Sequence, residues 1–114
     1  MSDTTVEPID WSAFRRVWGV EGHAAREMLD EFRQDNDPDA WALQAAVEAH
    51  DGAEARRLAH RMTGACRTIA APHIADLCEA LGTAARAGQW PRTEELLAQV
   101  LRACADLNRY IESL

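Results

Sequence analysis

The chain has 114 residues, 47% of them hydrophobic and 27% charged, enough for one domain with one modest core and too little for a second, nucleotide-binding lobe. Nineteen acidic residues against twelve basic ones give a net charge of −7. A chain this acidic repels a phosphate backbone, so general nucleic-acid binding is not expected.

Residues 1–9 read as a polar tail and residues 10–114 as the folded domain. The first five residues carry an acid where a signal peptide would carry basic residues before an apolar run. No segment approaches the roughly 18 apolar residues of a membrane span, so no membrane contact is expected. Asp10 is placed to cap a short helix from Trp11 to about Trp18, ended by Gly19 and Gly22. From about Glu21, Ala25, Leu29, Phe32, Ala40, Leu43 and Val47 keep one helical phase. Asp35-Asn36-Asp37-Pro38 interrupts it with helix-start chemistry, since Asp37 can cap and Pro38 suits a first turn. Local rules therefore favour two helices. The phase passes the interruption without a slip, which supports equally one long helix kinked at Pro38 and ending near Ala49, the reading we prefer.

Asp51 and Glu54 make a capping-box pattern that opens a helix to about Ala70. Pro72 begins the next, with Ile74, Leu77, Cys78, Leu81, Ala84 and Ala85 on one face and Gly88 as its stop. Pro91 begins the last, whose stripe is Leu97, Val100, Leu101, Cys104, Leu107, Ile111 and Leu114. Connections of a few residues make consecutive helices antiparallel neighbours. The expected fold is all-α, an up-down-up-down four-helix bundle with a short N-terminal helix laid against it. The stripes account for one closed core, so a monomer is expected. Cys66, Cys78 and Cys104 are odd in number and fit no metal-ligand spacing; they read as small core residues of a reducing, cytoplasmic compartment.

The helix opened by Asp51 carries the chemistry. With Leu58 at zero on a helical wheel, Met62, Ala65 and Ile69 fall within roughly 40° and Cys66 at about 80°, forming the expected core stripe. His60 then stands near ~200°, with Arg67 near ~180°, Arg56 near ~160°, Gly64 near ~240° and Thr63 near ~140°. An imidazole thus sits in a solvent-facing strip, one turn before a glycine. Glycine inside a helix costs about 1 kcal/mol relative to alanine. Either Gly64 lets another molecule's backbone approach, or it is a tolerated surface glycine.

Arg56, Arg57, Arg61 and Arg67 lie between Ala55 and Ala75 with no acid among them, a local patch of +4. A charge run is usually a solvated face, but a self-stabilising helix would tend to have acid partners at i,i+4. Such a patch suits an acidic partner or a phosphoryl group. An uncharged imidazole is a nucleophile near neutral pH, and its bond to phosphorus is labile enough to pass the group on. Phosphoryl transfer is mainly positioning and electrostatics, so a single histidine can serve as a carrier that binds no cofactor while its partner provides Mg²⁺ and the carboxylate. His23, His50 and His73 sit at helix ends without metal spacing, so no metal site is expected. Trp90, before Pro91, reads as a loop packing residue.

The run Ala59-His60-Arg61-Met62-Thr63-Gly64-Ala65-Cys66-Arg67 resembles the histidine-containing phosphotransfer (HPt) domains of bacterial multistep phosphorelays. Their pattern is alanine-histidine, two residues, commonly lysine, then glycine and a small residue. Leu77-Cys78-Glu79-Ala80-Leu81 and Ala84-Ala85-Arg86-Ala87-Gly88 are similar to that family's next helix. The spacing from Phe32 to Asp51 is similar to its long first bundle helix. The resemblance covers nearly the whole chain from Asp10 and is closest to the C-terminal HPt domains of BvgS/EvgS-type hybrid sensor kinases.

The resemblance implies that His60 accepts a phosphoryl group through Nε2 from one response-regulator receiver aspartate and passes it to another. The chain would then be a carrier rather than an enzyme, with Mg²⁺ on the receiver and Gly64 on the docking surface. Thr63 stands where the family usually has lysine and brings no charge, so Arg67 or Arg56 is expected to take over the electrostatic part, with Arg57 beside them. Arg61 and Trp41 are candidate docking residues. Reflecting His60 about the turn near His50 and Asp51 puts it level with Trp41, which otherwise would pack under the N-terminal helix with Trp11 or Trp18. The competing readings are a non-catalytic helical adaptor and the phosphoacceptor module of a histidine kinase. The second fits poorly, because Arg61 stands where that module has an acid.

Overall fold

A computed structural model describes residues 7–114, and among them it contains five helices and no strand. The Asp10 carboxylate accepts from the Ala13 N–H at 3.1 Å and so caps α1 (Trp11–Trp18), which Gly19 closes with a left-handed φ of +67°. α2 (His23–Glu48) is a single helix of 26 residues that runs through Pro38. The polar residues suited to start a second helix are used elsewhere. Asn36 is buried with its amide donating to Cys104 Sγ at 3.6 Å, and the Asp37 carboxylate accepts from the Asn108 amide at 3.1 Å. Both bonds reach across to the last helix, so Asp37 is not free to cap.

α3 (Gly52–Thr68) starts at Asp51, whose carboxylate accepts from the Glu54 N–H at 3.1 Å. The return half of the capping box does not form: Glu54 takes the Arg57 guanidinium in two 2.8 Å bonds, and the Asp51 N–H donates to Ala46 O. α3 ends at Thr68 rather than Ala70, because Ala70 is left-handed at φ +59° and the Ala71 N–H closes on Cys66 O at 2.8 Å. α4 (Pro72–Arg86) and α5 (Trp90–Glu112) follow. α5 starts at Trp90, one residue before Pro91. Its indole stacks on His50 at 4.5 Å and 3°, joining the two turns at that end of the bundle.

α2 packs on α3, α3 on α4, α4 on α5 and α5 back on α2, a closed ring of four helices. Leu29, Leu43, Met62, Ile74, Leu81, Val100, Leu107 and Ile111 fill its axis. Burying each such side chain contributes roughly 1.5–3 kcal/mol. Leu101 is only half-buried and Leu114 is exposed, so the α5 stripe is narrower than its periodicity suggests. α1 lies across the end of the ring: Phe14 is buried, the Trp11 indole donates to the Tyr110 hydroxyl at 2.6 Å, and the Trp18 indole donates to Thr68 O at 3.0 Å.

The expected polar tail is shorter than residues 1–9. Ile9 is buried in the core, the Asp10 N–H donates to Ala70 O at 2.8 Å, and Glu7 accepts from the Tyr110 hydroxyl at 3.3 Å. Residues 1–6, including the five whose acid argues against a signal peptide, lie outside the described residues. Among the described residues no helix is long and apolar enough to cross a membrane.

Candidate functional site

α3 buries Ala55, Leu58, Ala59, Met62, Thr63 and Cys66, while Ala65 is only half-buried. The stripe is therefore centred about 70° round from Leu58, which puts His60 about 130° from its middle and Gly64 nearly opposite it. His60 stands on the shoulder of α3 that faces α4, not directly away from the core. The cause is α4, which packs against α3 more closely than any other helix pair and draws Ala59 and Thr63 inward. A Cβ on Gly82 would lie 3.4 Å from Ala59 Cβ and 3.9 Å from Arg56 O, so the missing side chain at Gly82 sets how close the two helices come.

Along this shoulder runs an open groove of about 400 Å³. α3 contributes Arg56, His60, Thr63, Gly64 and Arg67; α4 contributes Cys78, Glu79, Gly82, Thr83 and Arg86. His60 is exposed, and neither ring nitrogen has a hydrogen-bond or ion-pair partner among the described residues. Gly64 is also exposed, and a Cβ there would meet nothing within 4 Å. No internal packing therefore calls for glycine at that position.

The basic patch is less free than the sequence suggests. Arg57 is held by Glu54, Arg61 by Asp39 of α2 at 3.0 Å, and Arg67 by Glu79 at 3.2 Å and Asp76 at 3.7 Å. The partners come from outside the acid-free window, three of the four from other helices. Arg57 and Arg61 do not reach the groove, and Arg67 reaches it with its charge already matched. Arg56 has no carboxylate partner among the described residues, and neither has Arg86.

Thr63, which brings no charge, has its hydroxyl turned to its own helix rather than to the groove. It is 7% exposed, and its hydroxyl donates to Ala59 O at 2.8 Å. Trp41 is 76% exposed, so it does not pack under α1, yet it is not part of the groove. Asp39, bonded to Arg61, marks the α3-facing side of α2, and Trp41 lies two residues on, about 200° round the helix.

The contribution of α4 escaped the sequence reading. The signals for it were a second helical glycine, Gly82, and an arginine, Arg86, with no acid at i−3 or i−4. Among the described residues no group of three His, Cys, Asp or Glu side chains is arranged to hold a metal ion. His23 and His50 instead approach Glu27 and Glu94. What the groove offers is an unpinned imidazole, two uncompensated guanidinium groups and a floor open to a visiting surface.

A family model described as the Hpt domain matches residues 27–110. The chain also resembles the crystal structure of histidine-containing phosphotransfer protein B (HptB) from Pseudomonas aeruginosa PAO1, with a TM-score of 0.85 and 25% sequence identity. That match covers 96% of this chain and 95% of the other. The chain has no match among curated proteins.

Proposed function

Because the chain belongs to the Hpt domain family of phosphorelay intermediates, we propose that His60 is the residue that carries its phosphoryl group. Hpt domains are carriers that exchange phosphoryl groups with the receiver domains of response regulators. The observation that supports His60 is its position: exposed, without an internal partner, at the mouth of a cationic groove and one turn from a glycine with open space before it.

A receiver aspartyl phosphate approaches over Gly64, where a side chain would hold it off. The lone pair of His60 Nε2 forms the N–P bond as the P–O bond to the receiver carboxylate breaks. The electron pair leaves with that carboxylate, and Nδ1 keeps its proton. Donation to the next receiver is the reverse exchange. This chain binds no cofactor in that step; Mg²⁺ held by the receiver supplies charge neutralisation at the phosphoryl oxygens. The closed ring of helices supports a monomer as the working unit, and three buried free thiols fit a reducing, cytoplasmic compartment.

Incubation with a phosphorylated receiver and Mg²⁺ tests the proposal. The expected product is an acid-labile, base-stable label on His60 that His60→Gln abolishes. A label retained by His60→Gln would overturn it.

A further inference from the structure

The chain contains no lysine: all twelve of its basic residues are arginine. The cation that balances a phosphoryl group here must therefore be a guanidinium, and only some of the arginines are free to serve. Arg67 shares its charge with Glu79 and Asp76, Arg57 with Glu54, and Arg61 with Asp39. Arg56 and Arg86 line the groove beside His60 with no carboxylate partner among the described residues.

Direction separates these two. Helical side chains lean toward the N-terminus of their own helix. α3 and α4 are antiparallel, with Gly82 against Ala59 and Ala85 O against Gly52. His60 therefore leans toward the turn of Arg56, and Arg86 leans back along α4 toward the level of His60. The two side chains converge from opposite helices, whereas Arg56 leans away. On this geometry, and resting on His60 as the phosphoryl carrier, we infer that Arg86 is the principal cation that holds the phosphoryl group on His60, with Arg56 assisting. α4 thus supplies the charge that Thr63, in the lysine position of the resembling domains, does not. Docking of a receiver excludes water from the groove and strengthens the contact. The free guanidinium fork suits three equatorial oxygens.

A structural use for Arg86 must be distinguished from this one, since a cation in the last turn of α4 also complements the helix dipole. Two phosphodonors make the distinction: a phosphorylated receiver, and phosphoramidate, whose N–P bond breaks to release ammonia and which needs no docking. Arg86→Met keeps the aliphatic stem and removes the charge. Its labelling rate on His60 is expected to fall about tenfold or more with both donors, as loss of a charge-assisted hydrogen bond implies. Arg86→Lys is expected to recover part of that rate. Arg67→Met, already compensated in the groove, is expected to lose much less. Adding Thr63→Lys to Arg86→Met is expected to restore labelling by returning a cation from α3.

A deficit seen with the receiver alone would make Arg86 a docking residue and overturn the inference. So would an unchanged rate in Arg86→Met, or an equal loss in Arg67→Met, while His60→Gln still abolishes the label. An unlabelled wild-type chain would instead remove the carrier reading itself, and this inference with it. Melting temperatures of all variants, expected within a few degrees of wild type, exclude unfolding as the cause.

Discussion

Gly64 and Gly82 are both glycines inside helices, and they answer to different neighbours. A methyl on Gly64 meets open space, so Gly64→Ala should recover the helix propensity lost there, about 1 kcal/mol, and raise the melting temperature. On the proposed docking, the same methyl stands where a receiver backbone would come close. We expect Gly64→Ala to slow transfer from a phosphorylated receiver while labelling by phosphoramidate keeps its rate. Equal rates with both donors would return Gly64 to a tolerated surface position. Gly82 faces inward: alanine fits at 3.4 Å from Ala59 Cβ, but leucine does not. Gly82→Leu should push α3 from α4 and lower stability by about 1–3 kcal/mol in urea unfolding. Sequence spacing showed the exposed glycine, because it lies one turn from a histidine. The buried one needed its partner helix to give it meaning. The burial of Thr63 is hidden in the sequence for a related reason: with Leu58 as the wheel's origin the stripe centres on Met62 and Ile69, and only α4 reveals that the centre lies nearer Cys66 and Ala59.

Pro38 shows how a helix-start signal can be overruled by packing. Locally, Asp35-Asn36-Asp37-Pro38 favours a break, and the continuous phase of Leu29, Phe32, Leu43 and Val47 opposes it. The long helix forms because Asn36 and Asp37 find partners on α5. The proline still costs α2 one backbone hydrogen bond, to the carbonyl of the exposed Gln34. Pro38→Ala should therefore stabilise the chain by about 1–3 kcal/mol, read as a higher urea midpoint with an unchanged slope. A lower midpoint would show that the proline limits the unfolded chain more than it strains the helix. Caps and stops such as Asp10, Asp51 and Gly19 were readable because their chemistry lies within a few residues of chain. The arginines were not: an acid-free window in sequence says nothing of Asp39, Asp76 or Glu79 arriving from α2 and α4. Arg56 and Arg86, the groove cations left without a carboxylate among the described residues, become visible only after those pairs are subtracted.

The closed ring of helices seals all three thiols away from water, and this gives the molecule a measurable alkaline limit. Burial, only partly opposed by the Asn36 amide, pushes the Cys104 thiol from its usual 9.0 up to about 11. Cys66 is pushed the same way, first by its hydrogen bond with Cys78 and then by burial, while that bond draws Cys78 down, so Cys104 carries the prediction. A thiol whose pKa is raised by folding stays protonated in the native chain while the unfolded chain ionises. Its contribution is fully present below about pH 9 and is lost as pH rises toward about 11, with Cys104 alone accounting for about 2 kcal/mol by then. With no lysine in the sequence, few other groups titrate in that window. Tyr110, raised chiefly by burial, shifts stability in the same direction. Urea unfolding at pH 7, 9, 10 and 11 should show the midpoint flat to about pH 9 and falling beyond it. Cys104→Ala should begin lower, from the space it leaves beside Asn36, but fall less steeply. A wild-type midpoint that stayed level to pH 11 would mean that the thiols are not held in a dry interior. The same seal predicts that an aromatic disulfide reagent reacts with the native chain only as fast as the bundle opens, and with all three cysteines at once in denaturant.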